Sequence, residues 1–344
     1  MHAPFLFIDI KGFSLAKQEE VCLIHPYVVG VVLFARNYES PEQLLALTTA
    51  IKSVRPKLQI AIDQEGGRVQ RLRDSFTLIP PMGEFGRWYA DDPDSTLSLL
   101  KETAWLVGAE LKAMHIDINF APVLDRDLGV SQVIGDRAFD AKEETIVTLA
   151  SAYIKGLSEA GVLSVGKHFP GHGAVVPDSH KELPVDGRSY QEIAGTDMRP
   201  FDSLISQHML PAVMMSHVVY SDLDAKPAGF SSAWVTGILR NHLKYKGLIF
   251  TDDLSMEAAR SCGDLSSTIE LSLASGCDRV LVCNYKQDMG ALLDSLEQAG
   301  LTPVKELDPL GHFALGKEEN IAWSALTHNE RYQAAKRALE ERKS

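Results

Sequence analysis

Eight short apolar runs, separated by stretches of helical period, constrain this chain more than any other feature of it. They fall at 4–9, 28–35, 58–62, 116–120, 162–167, 212–217, 247–251 and 279–283. Short runs rich in Val, Ile and Leu read as strands buried on both faces, and strands that alternate with helices imply βα units and a parallel sheet. Several of the helices carry their own start signals. Ser40-Pro41 offers an N-cap followed by proline at the first helical position, and Leu44, Leu47, Ile51 and Val54 then keep to one face. Ser231 opens a segment with Trp234, Ile238, Leu239 and His242 on one side, and Met289, Leu292, Leu293 and Leu296 mark another. Eight such units predict an α/β fold of the (β/α)8 TIM barrel type.

The connections sharpen that expectation. Those leading from helix into strand are short: Arg55-Pro56-Lys57, Gly161, Lys246-Gly247 and Gly276 to Asp278. Those leading out of strands are long after Ile62, Phe120 and Lys167. Long loops inside a compact domain are usually functional, and barrel enzymes build their sites from the loops at the strand C-terminal ends. A doubly wound sheet with a second domain is the competing architecture, but no linker or composition shift supports it. The reading is therefore a single domain over 1–344, with a closing helix at about 318–341 packed outside the barrel.

The chain has 344 residues and a formal net charge of −12, with 45% hydrophobic residues. An acidic balance without a basic stripe argues against a nucleic-acid surface, and ordinary hydrophobicity without low-complexity tracts argues against disorder. The longest apolar stretch, Val28 to Ala35, is too short to span a membrane. The first nine residues lack the basic region and apolar length of a secretory signal, so a cytoplasmic location is expected. Cys22, Cys262, Cys277 and Cys283 are scattered and form no C-x-x-C pair, which reads as free thiols in a reducing compartment.

Polar residues collect at the strand C-terminal ends of this apolar frame. Asp63 ends strand 3, Lys167-His168 strand 5, His217 strand 6, Asp252-Asp253 strand 7 and Asn284 strand 8. A packed barrel interior has no use for carboxylates, so charge gathered at one rim suggests a site, although any single Asp there is also a ready helix cap. Successive strand residues face opposite ways, so one of Asp252 and Asp253 should meet the barrel axis while the other caps the segment after it. After strand 5, Lys167-His-Phe-Pro-Gly-His-Gly173 breaks regular structure, and Asp178-Ser-His180 lies further along the same loop. Asp178 lies close enough in sequence to His180 to hold one ring nitrogen and favour its protonated form, as a proton donor requires. His168, His172, Asp178, His180 and His217 also make a conceivable metal-ligand set, which keeps a metal-dependent hydrolase open at this point.

Four motifs in order, Asp63 to Arg71, Gly135-Asp-Arg-Ala-Phe139, Lys167 to Gly173 with Asp178-Ser-His180, and Thr251 to Met256, resemble glycoside hydrolase family 3. The resemblance runs from about residue 3 to at least 300 and is strongest to the family's single-domain bacterial β-N-acetylhexosaminidases. It implies that Asp252 is the nucleophile, His180 the acid/base and Asp178 its partner. It also implies that Asp63, Arg71, Arg137, Lys167 and His168 bind the non-reducing sugar. The implied reaction is retaining hydrolysis of terminal β-linked GlcNAc, with GlcNAc-1,6-anhydroMurNAc muropeptides of cell-wall recycling as substrate. No metal or organic cofactor is implied, nor a nucleic-acid or membrane partner, and a monomer is expected. Within the same resemblance a β-N-acetylglucosaminide phosphorylase and a β-glucosidase are the alternatives. Trp88, Tyr89, Trp105 and Trp234 are read as core, His115 as structural, and Glu65 as either a substrate contact or a support for Arg68.

Overall fold

A computed structural model describes residues 4–176, 179, 183–301 and 321–343. All eight expected strands are present: β1 (Leu6–Asp9), β2 (Val28–Leu33), β3 (Gln59–Ile62), β4 (Ile118–Asn119), β5 (Leu163–Phe169), β6 (Ala212–Met215), β7 (Leu248–Asp253) and β8 (Arg279–Val282). They close in the order β1-β8-β7-β6-β5-β4-β3-β2, every pair parallel. Closure is made by Leu6 beside Val280 and Phe7 beside Leu281. The (β/α)8 barrel expected from the alternation is therefore the fold.

Two apolar cores stabilise it, one on each side of the strands. Inside, Phe7, Val29, Ala61, Val165, Met214 and Phe250 belong to a cluster shared by all parts of the sheet. The Phe250 ring lies 5.6 Å from that of Phe7 and 5.7 Å from that of Phe120, which seals the barrel below its C-terminal rim. Gly30 is obligatory here, because a Cβ would sit 2.4 Å from the Gln59 carbonyl and 2.5 Å from the Phe7 ring. Outside, the helices bury their apolar stripes against the other strand faces. Helix Pro41–Val54 starts as its sequence signals: the Ser40 hydroxyl accepts from the Gln43 amide, and Leu44, Leu47 and Ile51 are buried.

Three local features depart from simple periodicity. Strand β4 is shorter than the apolar run 116–120, although the Asp117 and Phe120 amides still donate to the Ile60 and Ile62 carbonyls; the Asp117 carboxylate accepts from Lys52 and from the Ile60 amide, and Asn119 turns to the chain after β3. The segment Ala233–His242 winds as a π-helix, still burying Trp234, Val235 and Leu239. At the other end of the chain, the single helix expected at about 318–341 is two helices in the described residues, Trp323–Leu326 and Glu330–Lys343. The second packs on Pro93–Ala113. All four cysteines are unpaired. Among the described residues no helix is long and apolar enough to cross a membrane.

Candidate active site

The polar strand ends, His217 excepted, meet at one cavity of roughly 310 Å³ at the C-terminal mouth of the barrel. Phe120, Met214 and Leu281 floor it, and Asp63, Glu65, Arg71, Arg137, Lys167, His168, His172, Asp252 and Asp253 stand around it. A larger groove, roughly 580 Å³, runs between helices Pro93–Ala113 and Glu330–Lys343. It lies on the outside of the barrel and gathers only Arg331, Glu102, Glu341 and Arg342 as charged groups, so the chemistry belongs to the rim.

One half of the cavity is an ordered array of charge. Lys167 reaches both Asp63 (2.8 Å) and Glu65 (2.6 Å). Arg71 donates to the other Asp63 oxygen at 3.1 Å, and Arg137 grips Glu65 with two parallel bonds of 2.9 and 2.8 Å. Burial alone would raise both carboxyls, but the cations beside them overcome it. Lys167 and Arg71 hold Asp63 well below the usual carboxylate range, and Arg137 with Lys167 does the same for Glu65. Burial likewise opposes the Lys167 charge, and the two carboxylates reverse that effect. The array therefore stays ionised at neutral pH.

The hairpin Gln64–Gly66 with Val69–Gln70 places Asp63, Glu65 and Arg71 together. Gln64 pins it: its side-chain carbonyl accepts from the Arg71 and Leu72 amides, each at 3.0 Å, and its backbone is bracketed by Asn119. Glu65 thus supports Arg137 and Lys167. Arg68 has different partners, the carbonyls of Gln132, Val133 and Ile134.

His168 is oriented by a residue that sequence reasoning did not single out. Asp125, fully buried in the loop after β4, accepts from the His168 ring at 2.7 Å and from the His172 amide at 2.7 Å. That bond takes Nδ1 of His168 and leaves Nε2 for the cavity. Burial raises the Asp125 carboxyl, and His168 and His172 more than reverse it. The only hint in the sequence was an Asp in a long loop beyond a strand end.

The two carboxylates at the end of strand β7 both border the cavity but differ in their partners. Asp252 lines the cavity. Asp253 accepts from the Ser255 amide and hydroxyl and from the Cys283 amide, so it organises the turn after the strand. Burial pushes its carboxyl up to about 6, with the neighbouring Asp252 adding to the rise against those hydrogen bonds. A pKa raised in the folded state means that the unfolded chain ionises first as pH climbs, so this group lowers stability between about pH 4 and 6. Asp253→Asn should remove that slope, gaining on the wild type by on the order of 3 kcal/mol across the window. Urea midpoints measured at half-unit pH steps for both proteins check this; parallel profiles would contradict it.

Asp178 and His180 lie outside the described residues. Ser179 between them is described: it lines the cavity, is 3% exposed, and its carbonyl accepts from the Ala258 amide. His217 lines no part of this cavity; it is fully buried, with Nε2 3.2 Å from the Asp253 carbonyl oxygen, and so supports strand β7. Trp105 and Trp234 are buried core residues, as expected. Among the described residues no group of three or more His, Cys, Asp or Glu side chains is arranged to hold a metal ion.

Comparison with known proteins fits this geometry. The model described as the glycosyl hydrolase family 3 N-terminal domain matches residues 7–308. The chain belongs to glycosyl hydrolase family 3. Relatives named β-hexosaminidase include one from Methylobacillus flagellatus, 49% identical over 293 residues that cover 85% of this chain and 84% of that one. Another, from Shewanella frigidimarina, is 43% identical over 333 residues, 96% and 95% of the two chains. Among solved structures, NagZ from Neisseria gonorrhoeae in complex with N-trifluoroacetyl-D-glucosamine has a TM-score of 0.88 and 39% identity, covering 99% of this chain and 98% of that one. A glycoside hydrolase built on a single barrel, as the motifs implied, is what these findings support.

Proposed function

We propose that this family 3 enzyme is an exo-acting β-N-acetylhexosaminidase that works by double displacement through Asp252. The observation that carries the reading is the shared cavity: a β7 carboxylate faces a preformed array of Asp63, Arg71, Lys167, Arg137 and His168 across a space of roughly 310 Å³. Asp63 accepts from paired sugar hydroxyls, while Arg71 and Lys167 supply donors with no acceptor to confuse orientation. The β-hexosaminidase names of the relatives support a terminal N-acetylhexosamine in that space.

Asp252 attacks the anomeric carbon as the bond to the glycosidic oxygen breaks and His180 gives that oxygen its proton. A glycosyl ester on Asp252 and a free alcohol result. Water then attacks the same carbon, losing a proton to His180 and releasing the Asp252 carboxylate, so the sugar leaves with net retention. Asp178 orients the His180 ring. Muropeptide fragments ending in β-1,4-linked GlcNAc, processed in the cytoplasm during cell-wall recycling, are the proposed physiological substrates.

The test compares 4-nitrophenyl glycosides of N-acetyl-β-D-glucosamine and β-D-glucose, each with and without inorganic phosphate. The acetamido sugar should react at least about ten-fold faster, a difference one recognised substituent readily supplies. Free GlcNAc should be the product in both buffers. A preference for the glucoside would overturn the substrate, and GlcNAc-1-phosphate would make the enzyme a phosphorylase.

A further inference from the structure

The loop that carries Arg71 is held from behind by the end of the chain. Glu110, 2% exposed in the last turn of helix Pro93–Ala113, accepts from the Thr77 amide at 3.1 Å and the Thr77 hydroxyl at 2.7 Å. Its remaining strong bond comes from helix Glu330–Lys343, where the Tyr332 hydroxyl donates at 2.7 Å. Two further contacts join the same partners: Trp323 packs on Phe76 with ring centroids 4.6 Å apart, and the Lys343 ammonium donates to the Leu78 carbonyl at 2.5 Å.

From Thr77 the connection continues to the cavity in single steps. The Gln70 amide donates to the Thr77 and Leu72 carbonyls, both at 2.9 Å, and its carbonyl accepts from the Ile79 amide. Leu72 and Arg71 both donate their amides to Gln64, and Arg71 reaches Asp63. Every link is buried or half-buried, where a lost partner is costly and a chain of bonds moves as a unit.

We propose that the C-terminal helix is a positioning element for the sugar pocket, with Tyr332 and Glu110 as positioning residues that act on substrate through Arg71. The proposal rests on the reading of Arg71 as a sugar ligand. Neither Tyr332 nor Glu110 lines the cavity, so their effect is transmitted by the 70–79 loop. A helix that only covered apolar surface would not require a carboxylate buried at the junction of three segments.

The experiment is a double-mutant cycle of Tyr332→Phe with Arg71→Ala, read as kcat and KM on 4-nitrophenyl N-acetyl-β-D-glucosaminide well below the unfolding temperature. Tyr332→Phe alone should raise KM roughly ten-fold with kcat little changed, since displacement of a binding group by a fraction of an ångström is felt strongly. In the Arg71→Ala background the same substitution should change KM by less than about two-fold, because interacting residues are non-additive. Thr77→Ala gives the same cycle should Tyr332→Phe not fold. Full additivity, or a lowered melting temperature with unchanged KM, would overturn the proposal in favour of a purely structural helix. Hydrogen exchange of the peptide 70–79 gives a readout without turnover: its amides should lose protection in Tyr332→Phe, and unchanged protection also overturns the proposal. Were the wild type inactive on this glycoside, the substrate reading would fall while the exchange result still decided the coupling.

Discussion

Replacing Asp252 by alanine is expected to lower kcat on 4-nitrophenyl N-acetyl-β-D-glucosaminide by at least about 10⁴-fold, since in the proposed mechanism it is the covalent nucleophile and its loss removes the whole reaction path. The cavity should survive the change. Asp63, Arg71, Lys167, Glu65 and Arg137 pair with one another, so the array is held together by its own ion pairs. Sugar affinity should therefore persist while turnover vanishes, a separation that equilibrium binding of GlcNAc to the variant would reveal. Azide, small enough to enter the vacated space, should restore turnover and yield the glycosyl azide of opposite anomeric configuration. Wild-type turnover in Asp252→Ala would remove Asp252 from the mechanism, and the double displacement with it.

The second large effect is expected at Glu65. This carboxylate is 3% exposed and lies between two cations that are themselves nearly buried, Arg137 at 11% and Lys167 at 3% side-chain exposure. Removing one member of a buried ionic set leaves uncompensated charge, which typically costs about 3–5 kcal/mol. Glu65→Ala should lose stability of that order in urea unfolding, and the displaced Lys167 and Arg137 should lower kcat/KM by on the order of 10²-fold. Glu65→Gln, which keeps the shape and drops the charge, should fall between the wild type and the alanine variant. Equal stability for all three proteins would mean that water, not protein, compensates the two cations.

The barrel was legible because its strands are buried on both faces. Continuous apolar runs such as Val28–Leu33 need no tertiary knowledge to be recognised. The exceptions have local causes. Strand β4 is regular only over Ile118 and Asn119, where the polar side chains of Asp117 and Asn119 add bonds to the neighbouring β3 segment beside the backbone ones. The π-winding of Ala233–His242 leaves almost no mark on the spacing of apolar residues, so period alone gave only a helix there.

The site divides in the same way. Asp63, Lys167, His168 and Asp252 were visible as polar residues at the ends of apolar strands. Asp125 and Glu65 were not assigned, because their meaning lies in partners far along the chain: Asp125 meets His168 43 residues on, and Glu65 meets Arg137 72 residues on. Neither pairing leaves a local pattern. Alternation along β7 predicts that one of Asp252 and Asp253 meets the barrel axis and the other caps the next segment; Asp253 does bond to the following turn, yet both border the cavity.

The contrast between long loops at one end of the barrel and tight turns at the other also divides the surface by use. At the tight-turn end, Lys57, Lys244 and Lys246 project exposed amines beside short connections, on the opposite side of the barrel from the cavity. Anchoring the protein to a solid support through these amines would leave the mouth facing the solution. The end of the fold opposite the cavity is thus a natural handle for a bead or an electrode.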